Sequence, residues 1–199
     1  MPVPIQYIDG CRRSHADLLA AIEDLTDEIA RRASRLPEWS IGHVLSHVAR
    51  NADSVVRRLE GAARGEVVDQ YPGGFEGRRA EIEAGAMRQA SALIADVRTS
   101  CLAAEAACEA MPADAWENIT RAVGGREQPA TVVVFSRWRE VEVHHVDLGL
   151  GYTPDDWPHA LVSAWLPSLL VALPERTDAH DLLAWCVGRA GAPDLAPWG

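Results

Sequence analysis

Seven histidines occur in the chain, at positions 15, 43, 47, 144, 145, 159 and 180, and four of them fall in two tight clusters. The first is His43-Val44-Leu45-Ser46-His47. The second is Glu140-Val141-Glu142-Val143-His144-His145-Val146-Asp147. Residues four apart share one helix face, so on a helix Glu140 and His144 project together and can grip one ion. His47 from a second helix would complete two imidazoles and one carboxylate. That is the donor set of an open catalytic zinc site, with a fourth position left for water or substrate. The spacing of glutamate and histidine is common on helices by itself, and the alternative reading is two salt-linked surface patches.

These side chains need helices to position them. Residues 41–60 give the clearest one. Ser40 is a good N-cap, and Trp39 before it can staple onto Val44. Ile41, Val44, Leu45, Val48, Ala52, Val55, Val56 and Leu59 form one apolar stripe. His47 falls on the flank of that stripe, looking into a cleft, and His43 falls nearly opposite it, facing solvent. Residues 130–150 read as the second helix. Its stripe of Val134, Trp138, Val141 and Leu148 also carries His145, a core or lining residue. Residues 140–144 alternate with period two as a strand would, but the apolar residues on either side, from Val132 to Leu150, favour a helix.

Further helices are expected at 7–34, 76–110 and 158–172. Residues 65–75 are a loop, 117–129 a loop or short hairpin, 180–187 a helix or short strand, and 191–199 a surface tail. The sum is an all-α fold: a four-helix bundle with a fifth helix and a short C-terminal tail.

Composition agrees with a globular domain. The 199 residues are 48% hydrophobic and 24% charged. The net charge of −10 disfavours nucleic acid, and no apolar run reaches the length of a membrane span. Met1 to Gly10 has no secretory pattern, so a cytoplasmic location is expected. Cys11, Cys101, Cys108 and Cys186 are scattered with no CxxC, which reads as buried or half-buried thiols.

Two segments carry a resemblance. Trp39-Ser40-Ile41-Gly42-His43-Val44-Leu45-Ser46-His47-Val48-Ala49 and Arg137-Trp138-Arg139-Glu140-Val141-Glu142-Val143-His144-His145-Val146-Asp147-Leu148 resemble, in order and separation, two motifs of the mycothiol-dependent maleylpyruvate isomerase family. That family belongs to the DinB-like four-helix bundle group, and the likeness spans residues 10–172. The resemblance implies a divalent metal, zinc first, held by His47, Glu140 and His144. It gives Arg137 and Asp147 supporting positions, with a structural salt link as the alternative. Arg137 and Asn51 are the residues expected to line the cofactor cleft.

The implied reaction is cis–trans isomerisation with mycothiol as thiol cosubstrate. A thiolate adds across the double bond, the single bond rotates, and elimination releases the trans product. The alternatives are a mycothiol S-transferase that conjugates electrophiles and a non-catalytic metal-binding bundle. An exposed apolar face of Leu161, Trp165 and Leu169 would support the latter. Expected partners are a small-molecule substrate and a low-molecular-weight thiol, with no nucleic acid and no membrane, in a monomer or homodimer. Residues 1–175 are expected to form the metal-binding bundle and 176–199 a short extension. The family has a further small C-terminal α/β domain that helps close the site. Here about 27 residues follow the fifth helix, so 180–199 reads as a remnant or short substitute.

Overall fold

The computed structural model describes residues 3–196. The chain divides into two compact units, residues 1–156 and 157–199. By compactness the division thus falls after Asp156, and the fifth helix belongs to the second unit.

Four long helices build the first unit: α1 (Ile5–Ala21), α3 (Ile41–Ala63), α5 (Ala90–Ala110) and α6 (Ala130–Asp147). α3 packs on α5 and α6, and α1 packs on α6 and α5. The core has two apolar halves. One joins Leu18, Ile41, Leu45, Leu93, Val97 and Val141; the other joins Ile8, Val55, Leu59, Trp116, Val133 and Val134. The early residues of α3 and α5 therefore share a half with the late residues of α1 and α6, so the two pairs run in opposite directions. Between the halves lies a polar layer of His15, Asn51 and Arg137, all buried.

The strongest element is α3, for reasons visible in its residues. Ser40 caps it by accepting from the His43 amide at 3.3 Å, and the His43 ring returns to the Ser40 amide at 3.2 Å. Its apolar stripe is buried almost without a break. Gly42 stands where α4 (Gly74–Ala86) crosses, and a Cβ there would lie 2.2 Å from the Ala86 carbonyl oxygen. Only glycine permits that approach.

Two expected helices are each divided. The helix expected at 7–34 ends at Ala21 and resumes as the short α2 (Asp27–Ala30), capped by Thr26. The helix expected at 76–110 breaks at Met87–Gln89 into α4 and α5. The break has a tertiary cause: the Asp27 carboxylate accepts from the Ala90 amide at 2.6 Å, giving α5 its N-terminal cap from a distant part of the chain. Residues 117–129 resolve into a hairpin, β1 (Ile119–Arg121) antiparallel to β2 (Glu127–Pro129), with Thr120 opposite Gln128.

The second unit contains α7 (His159–Ala172) and α8 (Ala179–Cys186), so the 180–187 segment is helical. Asp178 caps α8, and Arg176 and Ala196 exchange backbone and side-chain hydrogen bonds. Leu161 and Trp165 of α7 are buried, so the exposed apolar face is not formed by them. Pro197 and Trp198 of the expected tail lie outside the described residues. Cys11, Cys101 and Cys108 are buried free thiols, whereas Cys186 is exposed, against expectation. No described helix is long and apolar enough to cross a membrane.

Candidate metal centre

α3 and α6 bring His47, Glu140 and His144 to one point. His47 Nε2 lies 3.1 Å from Glu140 Oε2 and 3.0 Å from His144 Nε2. His144 Nε2 lies 3.5 Å from Glu140 Oε2. One donor atom from each residue falls within 4.8 Å of the other two, a spacing able to hold a metal ion. The two rings meet edge to face with centroids 4.5 Å apart, and Trp39 stands 5.7 Å from the His47 ring.

The surroundings orient the donors. Asp147, one turn beyond His144, takes the His144 Nδ1 proton at 2.9 Å and leaves Nε2 aimed at the cluster. A carboxylate on the far nitrogen is the usual support for a metal-binding histidine. His47 is 2% exposed, and burial, reinforced by the charges of His144 and Arg78, lowers its pKa to about 4. It is therefore a neutral ring at pH 7. Burial opposes the charged form of His144 too, but its bonds to Asp147 and Glu140 outweigh this and raise it to about 9. Burial would likewise raise Glu140, yet both histidines together hold it well below the usual carboxylate range. The donor set fits a divalent cation: one anionic oxygen and two imidazole nitrogens converge, and the charge of the ion would take the place of the proton on His144.

Asn51 and Arg137 are brought together, but on one another and inside the core. Arg137 is 1% exposed. Its Nη1 donates to Asn51 Oδ1 at 2.9 Å and to the Val48 carbonyl at 2.8 Å. Its Nε reaches His15 Nε2 at 3.1 Å and its Nη2 reaches Cys101 Sγ at 3.3 Å. Every nitrogen of the guanidinium is engaged inside the bundle, where it cross-links α1, α3, α5 and α6. His43 stays away from the cluster. It is part-buried by its capping role and by Glu83 at 3.4 Å, where a solvent-facing ring was expected. His145 is buried on the opposite side of α6, stacked on Tyr152 with centroids 3.8 Å apart.

Two neighbours of the cluster escaped the sequence reading. Arg78 of α4 places Nη2 3.2 Å from His47 Nδ1 and lies over the Tyr71 ring at 5.9 Å. Burial opposes the charge of Arg58 of α3, and the Glu140 carboxylate favours it. The helical wheel carries a signal for Arg58, since it stands eleven residues after His47 on the same flank. Nothing local marks Arg78, which comes from a different helix.

An antiparallel helical bundle carrying a two-histidine, one-carboxylate cluster between facing helices defines a class of metal-competent all-α domains. Within that class the chain belongs to a specific family, that of the mycothiol maleylpyruvate isomerase N-terminal domain, whose model matches residues 11–149. Among solved structures it is similar to a mycothiol-dependent maleylpyruvate isomerase, at 26% identity and a TM-score of 0.77, covering 82% of this chain and 67% of that one. A histidine-to-alanine mutant of a mycothiol-dependent maleylpyruvate isomerase matches with the same values. No curated protein matches.

Proposed function

We propose that the chain is a metal- and thiol-dependent isomerase that converts the cis double bond of a maleylpyruvate-like acid to trans, with mycothiol as the thiol. His47, Glu140 and His144 are the proposed ligands of one divalent ion, zinc first. The observation that carries this reading is the convergence of three donor atoms within 4.8 Å in a member of this family. The ion would supply Lewis acidity, which lowers the pKa of a bound thiol toward neutrality.

The remaining work falls to the chain's own side chains. Asp147 fixes the His144 ring through Nδ1. Trp39 packs at the edge of the His47 ring. Arg137 and Asn51, in this proposal, act by holding α6 on α3, so that the two halves of the donor set keep their spacing. Three buried free thiols suit the reducing cytoplasm, where we place the protein.

The test is metal content by elemental analysis of the purified protein beside His47→Ala, followed by assays with mycothiol. About one ion per chain in wild type, lost in the variant, and turnover of maleylpyruvate are the expected results. Metal with loss of free thiol to halogenated electrophiles, and no turnover of maleylpyruvate, would replace isomerase by S-transferase. No metal after reconstitution would overturn the reading.

A further inference from the structure

Two arginines are almost wholly buried in the bundle, and they are handled in opposite ways. Arg137 has partners for all three of its nitrogens. Arg58 is 2% exposed, yet among the described residues its one hydrogen bond runs from Nε to the Ser54 carbonyl at 3.3 Å. No described carboxylate pairs with it, and neither terminal nitrogen has a hydrogen bond to a described residue. A buried guanidinium with no carboxylate bonded to it is costly, and folding alone gives no reason to keep one. The cost is visible in its acidity, which burial pushes down to about 10.

The position of Arg58 supplies a reason. His47, Asn51, Ser54 and Arg58 fall on one flank of α3, at steps of four, three and four residues. Side chains on a helix lean toward its N-terminus, and the bond to Ser54 draws the Arg58 head back one turn toward His47. The Glu140 carboxylate acts on its charge, so it belongs electrostatically to the cluster. Arg78 stands over the same Tyr71 ring and touches His47. Its hydrogen bond requires a lone pair on His47 Nδ1. A neutral imidazole that offers Nε2 to a metal carries its proton on Nδ1 instead. A metal held at Nε2 would therefore displace Arg78 from Nδ1, leaving a second guanidinium beside the donor set without that partner.

We propose that Arg58 and Arg78 form a carboxylate-binding pair beside the His47–Glu140–His144 cluster, selecting a short organic dicarboxylate as substrate. This rests on the proposed metal site for its setting and adds the chemistry of recognition. Guanidinium groups bind carboxylates through paired N–H donors, and the near-complete burial of Arg58 strengthens such a contact. A monoanion or neutral electrophile would leave one arginine unpaired, so the pair discriminates against it.

The experiment is titration of the metal-loaded protein with maleate, without thiol, at fixed ionic strength by calorimetry. Wild type, Arg58→Met, Arg78→Met and the exposed control Arg98→Met are compared, with metal content and melting temperature measured on each. The expected result is maleate binding in wild type and Arg98→Met, weakened at least about tenfold in each of the other two. Acetate should bind far more weakly than maleate in wild type. Arg58→Met should melt at or above the wild-type temperature, because it removes a buried charge with no carboxylate bonded to it.

Unchanged maleate affinity in Arg58→Met and Arg78→Met would overturn the proposal. So would a wild type that holds its metal but binds no maleate, and that outcome leaves the metal reading standing. Arginine-dependent maleate binding by a chain that takes no metal would uphold this proposal and sink the other. Should Arg58→Met fail to fold, Arg58 is a structural residue and the pair is refuted. Arg78→Met, at a part-exposed position, tests the second member independently.

Discussion

His15 sits in the polar layer with its protonation state dictated by its partners. Arg137 donates to Nε2 at 3.1 Å, so the neutral ring carries its proton on Nδ1 and donates to Glu105 at 2.7 Å. Burial lowers its pKa from 6.5 to about 4, against the opposing pull of Glu105. Between those values the unfolded chain binds more protons than the folded one. Stability from this group is therefore full above pH 6.5 and is lost as the pH falls toward 4. The size is about 3 kcal/mol for a shift of this extent. Urea denaturation from pH 7 to pH 4.5 should show a shallower loss in His15→Gln than in wild type, and equal slopes would refute the assignment. Asp147 gives a second residue-scale prediction. Asp147→Asn keeps the shape but weakens the hold on His144 Nδ1, so zinc affinity by competition with a chelating dye should drop about 10- to 100-fold.

At the scale of elements, α3 positions both His47 and Arg58, and its start is fixed twice. Ser40 satisfies the His43 amide, and Gly42 admits the Ala86 carbonyl of α4. Ser40→Ala should cost about 1 kcal/mol, the usual value of an N-cap. Gly42→Ala inserts a methyl group against backbone that cannot turn aside, and should cost about 1–3 kcal/mol. Because α4 also carries Arg78, the glycine variant should lower the melting temperature and weaken maleate binding together. A fall in melting temperature with unchanged binding would show that α4 does not position the site. The division of the 76–110 segment belongs to this scale as well. No proline or strong turn signal marks Met87–Gln89; the cap on α5 arrives from Asp27, sixty-three residues away.

The whole bundle is tied at mid-height by Arg137, whose partners lie on α1, α3 and α5 while it stands on α6. Arg137→Met leaves several buried acceptors without a donor and should lower stability by about 3 kcal/mol or more. This is the reverse of the result expected for Arg58→Met, and the contrast separates a structural arginine from a recognising one. A ligand that binds only the folded chain also stabilises it as a whole. At 100 times its dissociation constant, zinc should add about 2.7 kcal/mol, or roughly 5–10 °C in melting temperature for a chain of this size. A melting temperature unaffected by zinc or by a chelator would count against the site.

The convergence of His47, Glu140 and His144 was legible in the residues because helical spacing is a local rule. Four residues separate Glu140 from His144, the flank of the α3 stripe selects His47 over His43, and the family match spans both motifs. The long helices were legible for the same reason, since apolar period and capping chemistry act over a few residues. The interruption of the 76–110 helix, the inward turn of Asn51 and Arg137, and the company of Arg58 and Arg78 were not. Each depends on which distant side chain arrives in the same space. The same residue type, arginine, serves as a fully bonded cross-link at 137 and as a buried charge with a single hydrogen bond to a described residue at 58, and only packing among helices separates those two environments.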